Sequence, residues 1–225
     1  MKKGLVIAID GPAGAGKTSI SKAAAKRLGY TYIDTGALYR GFALKAKNLG
    51  IDIQNDDELS DMCNNINLSF QDVGGERRLF LDGVDVSKEI REPDMSMRAS
   101  DISARPIVRA ALLGTQRDLG RDGAVILEGR DIGTVVFPDA DIKFYLDAAV
   151  DERAKRRLND YQAAGKSVSL NDLVEEIKQR DQNDSTREHA PLTRTDDAIH
   201  IDSTKFSFDE VLDIILDRVH KLLEL

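Results

Sequence analysis

Cysteine is nearly absent from this 225-residue chain. The single thiol, Cys63, has no partner for an internal disulfide, and no spacing of Cys and His fits a zinc site. It reads as a small packed side chain. The three histidines, His189, His200 and His220, are scattered and receive no role. Long hydrophobic runs are missing too: none approaches the ~20 residues of a membrane helix. Met1-Lys2-Lys3-Gly4 leads into an apolar run too short for the core of a signal peptide, so the expectation is a cytoplasmic protein without a membrane partner. A basic excess is also lacking. The formal net charge of −7 argues against bulk nucleic-acid binding, though not against a basic cleft.

What remains is an ordinary globular composition, long enough for one sizeable core and a small inserted subdomain. The run 5–9, Leu-Val-Ile-Ala-Ile, reads as a buried parallel strand. A helix is expected over 18–28, ending before Gly29, then a short strand over 31–33 and a helix to about Leu49 with Gly50 as its cap. Thr35 is the expected N-terminal cap of that helix. Short apolar strands are expected over 124–127, 142–146 and 198–201. Strand–helix alternation of this kind means an α/β fold with a parallel sheet core flanked by helices.

Two pairs resemble capping boxes, Ser169 with Asp172 and Ser207 with Glu210, the second in the full form. The last helix, 208–223, places Val211, Ile214, Ile215, Val219 and Leu222 at helical spacing for burial. Between 66 and 86 the rhythm breaks. Ile66, Leu68 and Phe70 alternate with polar residues, Gly74-Gly75 follows, and Leu79 and Leu81 alternate again, which predicts a β-hairpin. The expected organisation is a core of 1–34 and 104–225, with an acceptor-binding region over 35–103 that carries an insertion at about 66–103.

Gly11-Pro12-Ala13-Gly14-Ala15-Gly16-Lys17-Thr18 fits G-x-x-x-x-G-K-[ST] between a strand and a helix. Glycines let successive backbone N–H groups turn toward phosphate oxygens, and the helix N-terminus favours negative charge. Lys17 reaches the β- and γ-phosphates, and the Thr18 hydroxyl is the candidate Mg²⁺ ligand. A kinase or a hydrolysing switch would both use this loop. The N-K-x-D tetrapeptide of guanine-binding switches is missing.

Asp34-Thr35-Gly36-Ala37-Leu38-Tyr39-Arg40 opens a helix after a strand. Arg40 is chemically suited to a second phosphate, although alone it is more simply a surface arginine. Arg130-Asp131 lies just past a core strand, where open parallel sheets bind ligands. Leu173, Ile177, Arg180, Asp184 and Arg187 share one helical face if that helix runs so far, and an Arg180–Asp184 ion pair is the plain alternative to ligand contact. Arg153, Arg156 and Arg157 also share a face on a helix expected over 151–164, ended by Gly165; alone they read as a solvated basic stripe.

With D-T-G-A-L-Y-R, I-D-G-P-A-G-A-G-K-T, E-G-R-D-I-G-T, R-D-x-x-D-x-x-R at 180–187 and A-P-L at 190–192, nearly the whole chain resembles the bacterial cytidylate kinase family of nucleoside monophosphate kinases. The resemblance implies ATP-dependent phosphorylation of CMP and dCMP, with Mg²⁺. On the ATP side it implies residues 11–18 with Ser19 and Arg156. On the CMP side, Arg40 and Arg130 would hold the phosphate, and Ser100, Arg109 and Asp131 would read or brace cytosine. Arg180 and Asp184 would bind the ribose region, Arg187 would sit by the base and the transferring phosphate, and Thr35 would lie against the acceptor. The stretch 151–168 corresponds to a short helical lid, whose arginines would close over the phosphates. Lys17, Arg130, Arg153, Arg157 and Arg187 are thus the expected catalytic set. Where an aspartate is common in the family, this chain has Glu128, and either Glu128 or Asp10 is placed to assist the metal. A monomer is expected. The alternatives are a P-loop kinase for another small monophosphate or metabolite, and a nucleotide-binding regulatory protein.

Overall fold

Five short strands with β-branched interiors build the central sheet of the computed structural model, which describes residues 4–163 and 165–224. Met1, Lys2 and Lys3, and Ala164 at the expected end of the lid helix, lie outside the described residues. The strands are β1 (Val6–Asp10), β2 (Thr31–Asp34), β6 (Val125–Gly129), β7 (Ile142–Asp147) and β8 (Ile199–Asp202), in the spatial order β2-β6-β1-β7-β8. Neighbours run parallel, and every residue of β1 and β6 is buried, as a sheet covered on both faces requires. The register sets Asp10 beside Gly129 and Tyr145, so the C-terminal ends of the three middle strands lie level.

Two helices cover this sheet and show their sequence logic plainly. Helix α1 (Lys17–Leu28) starts at Gly16 and stops at Gly29, both left-handed, with Lys26 and Arg27 in the last turn where the helix dipole favours cations. Helix α8 (Phe208–Leu223) has the complete capping box of Ser207 and Glu210. It buries Val211, Leu212, Ile215 and Val219 against Ile7, Ile9, Ala24 and Phe144, with Ile214 partly buried beside them. Leu222 is only half-buried, and Leu212 takes the expected place in the core. Ser169 precedes α7 (Leu170–Thr186) but makes no side-chain cap bond. The expected box does not form there, since the Ser169 side chain accepts from no amide of the first turn. Helix α6 (Val150–Ala163) packs on α7 through Ala154, Leu173 and Ile177.

The chain forms two compact units, Met1–Ile33 with Leu119–Leu225, and Asp34–Asp118. The second unit holds α2 (Thr35–Leu49), α3 (Asp56–Asn65), β3 (Leu68–Val73), β4 (Glu76–Leu81), β5 (Val84–Asp85) and α4 (Pro93–Ser103); α5 spans Pro106–Gly120. The α2 cap is Asp34, whose carboxylate accepts from the Ala37 amide; Thr35 is already the first helical residue. The hairpin turns on Gly74 and Gly75, both at positive φ, the conformation a two-residue turn needs. Asp82-Gly83 makes a second such turn and adds β5 as a third strand. Gly41 lets α2 approach the hairpin closely, since a Cβ there would lie 2.9 Å from the Leu68 side chain.

Gly11, at the exit of β1, is the tightest point of the larger unit. It sits at φ +149, and a Cβ would fall 1.9 Å from the Leu146 carbonyl oxygen of β7. Backbone atoms cannot yield as a flexible side chain does. Gly11→Ala should therefore lower stability by about 3 kcal/mol or more, read as a drop in urea midpoint at unchanged slope. A midpoint equal to that of the parent chain would contradict this close approach.

Candidate active site

The loop between β1 and α1 is held by its carbonyls. Lys17 Nζ donates to the carbonyls of Gly11 and Pro12, each at 2.7 Å. Arg153 Nη1 donates to Ala13 O at 2.9 Å, and Ser203 Oγ approaches Ala15 O at 3.4 Å. Lys17 is buried, and its ammonium pKa is pushed well below the usual lysine value by burial and then by the nearby Arg130 charge, with Glu128 and Asp10 opposing. Phosphate is the natural partner for such a cation, because a bound anion would restore the charged form. Gly16 provides the left-handed turn into α1, whose first amides have no side-chain cap.

Two carboxylates flank the loop and divide the work. Glu128, at the end of β6, accepts from Thr18 Oγ1 at 2.7 Å and from the Tyr32 hydroxyl, both on Oε1. Asp10, at the end of β1, accepts from the amides of Ile132 at 2.9 Å and Gly133 at 2.8 Å. Those amides belong to a single π-helical turn, Ile132–Val136, directly after Arg130-Asp131. Such turns recur at functional sites because they re-aim the residues around them. Burial raises the Asp10 pKa to about 6, against the two amide bonds that lower it. Gly133 is tightly packed here: a Cβ would meet the Lys143 stem at 3.0 Å and Asp10 Oδ2 at 3.5 Å.

Arg130 donates from Nε to Asp184 Oδ2 at 2.8 Å, joining β6 to α7. Burial disfavours its charge, but Asp184 and then Glu128 outweigh that and hold its pKa above the ordinary arginine value. Asp184 is itself buried, and Arg180 Nε lies 3.8 Å from the same oxygen. The Arg180–Asp184 pair anticipated on the helix is therefore present, and a closer cation from another element outranks it. Helix α7 stops at Thr186, with Arg187 as its C-terminal cap. Arg187 donates to Ala190 O from Nε at 2.8 Å and from Nη2 at 2.5 Å, and its Nη2 lies 3.8 Å from Asp131. Leu192 N then bonds Asp184 O, so the A-P-L segment folds back on the helix end. Within the larger unit the structure thus brings Lys17, Thr18, Glu128, Arg130, Asp131, Arg180, Asp184 and Arg187 to the C-terminal ends of the middle strands.

The three α6 arginines are not presented as one free basic stripe. Arg153 is buried, with Nε on Ala148 O at 2.8 Å and a bidentate pair to Asp181 at 3.0 and 2.6 Å. Arg156 donates to Ser203 Oγ and Ser203 O, at 3.0 and 2.9 Å. Arg157 pairs with Glu176 at 2.9 Å and bonds the Tyr161 hydroxyl. Tyr32, Ser203 and Asp181 were given no role from sequence. Nothing marked the first two, and Asp181 stood inside a quoted motif.

In the smaller unit, Arg40 Nη2 pairs with Asp34 Oδ2 at 2.6 Å, over Gly36, where a Cβ would lie 3.1 Å from Asp34 Oδ1 and 3.3 Å from Arg40 Nη1. The D-T-G-x-x-x-R spacing is thereby explained: cap, gap and cation lie within the first two turns of α2. Thr35 and Ser100 are buried. Ser103 Oγ donates to Ser100 O, and Arg109 Nη1 donates to Ser103 O at 3.2 Å while its guanidinium lies 5.5 Å from the Tyr39 ring centroid.

A family model described as cytidylate kinase matches residues 7–221. The chain belongs to the cytidylate kinase family. It is 52% identical to the cytidylate kinase of Geobacter sulfurreducens over 94% of this chain and 91% of that one. It is 48% identical to the cytidylate kinase of Caldicellulosiruptor saccharolyticus, over 99% and 98% of the two chains. A crystal structure of an uncharacterized protein from Eubacterium ventriosum shares the fold, with a TM-score of 0.50 at 14% identity, covering 97% of this chain and 99% of that one.

For this member of the cytidylate kinase family, Asp10 makes stability depend on pH in a defined sense. Its folded pKa of about 6 lies above the model-compound 3.8, so the fold binds a proton that the unfolded chain releases between those values. Stability contributed at Asp10 is therefore greatest below about pH 3.8 and is lost as pH rises to about 6. Asn does not titrate. Asp10→Asn should accordingly appear more destabilising, relative to the parent, at pH 4.5 than at pH 7.5 in chemical denaturation. A difference that stays flat or reverses would contradict the buried, raised carboxyl.

Proposed function

We infer that the chain phosphorylates CMP, and dCMP, with ATP to give the diphosphate and ADP, by direct in-line transfer. Family membership supplies the reaction class. The observation in the structure that carries it is a cluster of buried cations, Lys17 and Arg130 with Arg180 nearby, gathered at a phosphate loop that opens a helix.

On this reading residues 11–18 and Ser19 cradle the ATP phosphates, with Arg156 on the same side. Lys17 follows the phosphoryl group in transfer, and Arg130 and Arg187 neutralise charge on the acceptor. Arg40 in the smaller unit serves the CMP phosphate, and Thr35 lies against the acceptor. Ser100, Arg109 and Asp131 read cytosine: a carboxylate accepts from its exocyclic amine, and the serine and arginine serve its acceptors. Arg180 and Asp184 serve the ribose. Residues 151–168 act as the lid, in which Arg157 exchanges Glu176 for phosphate and Arg153 contributes its charge from beneath the loop. A base that leaves such groups unpaired is rejected strongly.

Among the described residues no three His, Cys, Asp or Glu side chains gather as a metal centre. That suits Mg²⁺ in a phosphate loop, which is held chiefly by a hydroxyl, water and the nucleotide. Thr18 would hold it, with its hydroxyl proton directed to Glu128. Glu128 is the better assisting carboxylate, since Asp10 is engaged by two amides. The ion supplies charge neutralisation at the β- and γ-oxygens. The chain's own task is alignment and charge, and no general base is needed because the acceptor phosphate is already a nucleophile near neutral pH.

Among the described residues no helix is long and apolar enough to cross a membrane. A cytoplasmic monomer acting on small molecules, without nucleic-acid or membrane partners, is the proposed setting.

ADP release is to be followed with ATP and, separately, CMP, dCMP, UMP, AMP, GMP or no acceptor. Fast turnover with CMP and dCMP, weak with UMP and absent elsewhere, is expected. A different preferred acceptor would overturn the cytosine roles, and acceptor-independent hydrolysis would overturn the kinase. Lys17→Met should lower kcat by a factor on the order of 10³ with an unchanged circular dichroism spectrum; near-normal turnover would remove Lys17 from the reaction.

A further inference from the structure

The motif R-D-x-x-D-x-x-R places Asp181 between residues assigned to the acceptor, yet its carboxylate turns to the other substrate's side. Both oxygens are taken by Arg153, at 3.0 and 2.6 Å. The Arg153 side chain is 4% exposed and that of Asp181 24%. Arg153 also donates from Nη1 to Ala13 O at 2.9 Å and from Nε to Ala148 O at 2.8 Å. Four N–H bonds fix the guanidinium plane. A trans peptide points its C=O and N–H in opposite directions, so pinning Ala13 O sets the direction of the Gly14 N–H. Gly14 also lets α6 pack close against the loop: a Cβ there would lie 3.1 Å from Arg153 Cβ. Gly14 sits at φ +77, a conformation other residues rarely adopt, so this peptide has little intrinsic preference to hold it in place.

Resting on the kinase reading above, we propose that Asp181 is a positioning residue for ATP: through Arg153 it orients the Ala13–Gly14 peptide so that the Gly14 amide faces the donor phosphates. The acceptor motif thus contains one member that serves the donor. Arg180, Asp184 and Arg187 act directly at the acceptor, while Asp181 lies one residue round the helix from Arg180 and faces α6. The same pair ties α7 to the loop, so that the helix carrying acceptor contacts and the peptide cradling the donor keep a fixed relation within the larger unit.

The test is Asp181→Asn, which keeps size and one acceptor but removes the charge and the bidentate pair. KM for ATP should rise about tenfold, with KM for CMP changed less than about twofold. Asp184→Asn should show the opposite split. A merely structural role would move both constants together and lower the melting temperature in step. In calorimetry without acceptor, the Asp181→Asn affinity for a non-hydrolysable ATP analogue should fall by the same factor. Faster hydrogen exchange at the Gly14 amide should accompany it. Parallel loss of both KM values, a change confined to CMP, or unchanged analogue affinity would each overturn the proposal. The acceptor screen on the parent chain reports separately on the kinase reading, because the calorimetric comparison needs no acceptor at all.

Discussion

Like charges are crowded into a water-poor centre, and the rest of the site depends on how that repulsion is balanced. Burial first, and then the nearby Arg130 and Arg180 charges, depress the affinity of Lys17 for its proton. Asp184 holds Arg130, and Glu128 and Asp10 act on Lys17 in the opposite sense. Each carboxylate also has a second engagement: Asp184 with Arg180, Glu128 with Thr18 and Tyr32, Asp10 with the turn after Arg130. An unpaired buried cation would be strongly destabilising, and a fully neutralised one would have little left to offer a phosphate. The arrangement lies between these limits. It holds the cations in place while leaving the lysine short of the negative charge that a nucleotide carries.

The sheet explains why these groups meet. Parallel strands in level register deliver their C-terminal residues to one edge, and β1 and β6 are neighbours although over a hundred residues separate them in sequence. Loop, carboxylates and Arg130 follow directly from that adjacency. Helices α6 and α7, packed through Ala154, Leu173 and Ile177, add a second layer of arginines and their partners. In the smaller unit, the Asp34–Arg40 pair is local and needs only the first two turns of a helix with a glycine between its partners. The contrast shows two routes to a positioned arginine, one by tertiary packing and one by helix periodicity.

Much of this was legible beforehand, and the legible parts share a cause. The phosphate loop, the strands of the core, the hairpin with Gly74-Gly75 and the cap at Ser207 all rest on residues near one another in sequence. Local backbone preferences and side-chain periodicity act at that range. The errors are equally local: Thr35 was expected to cap α2 where Asp34 does, and Ser169 was expected to form a box with Asp172 but makes no side-chain cap bond. The third strand of the small sheet was missed although Asp82-Gly83 signalled its turn.

By itself the sequence determined the class of fold, the loop, and the set of charged residues from which a site is drawn, because spacing along a strand or helix fixes what one element can present. Only the tertiary structure decided which charge meets which. Arg130 has its Nε on Asp184, 54 residues away, a partner that no spacing along one element indicates. Arg153 resembled Arg156 and Arg157 in pattern, yet those two are part-buried while Arg153 is buried beneath the loop against Asp181. Helical spacing says which side chains share a face. Whether that face meets water, a carboxylate or a peptide carbonyl depends on the neighbouring element, and that neighbour is chosen by packing of the whole core.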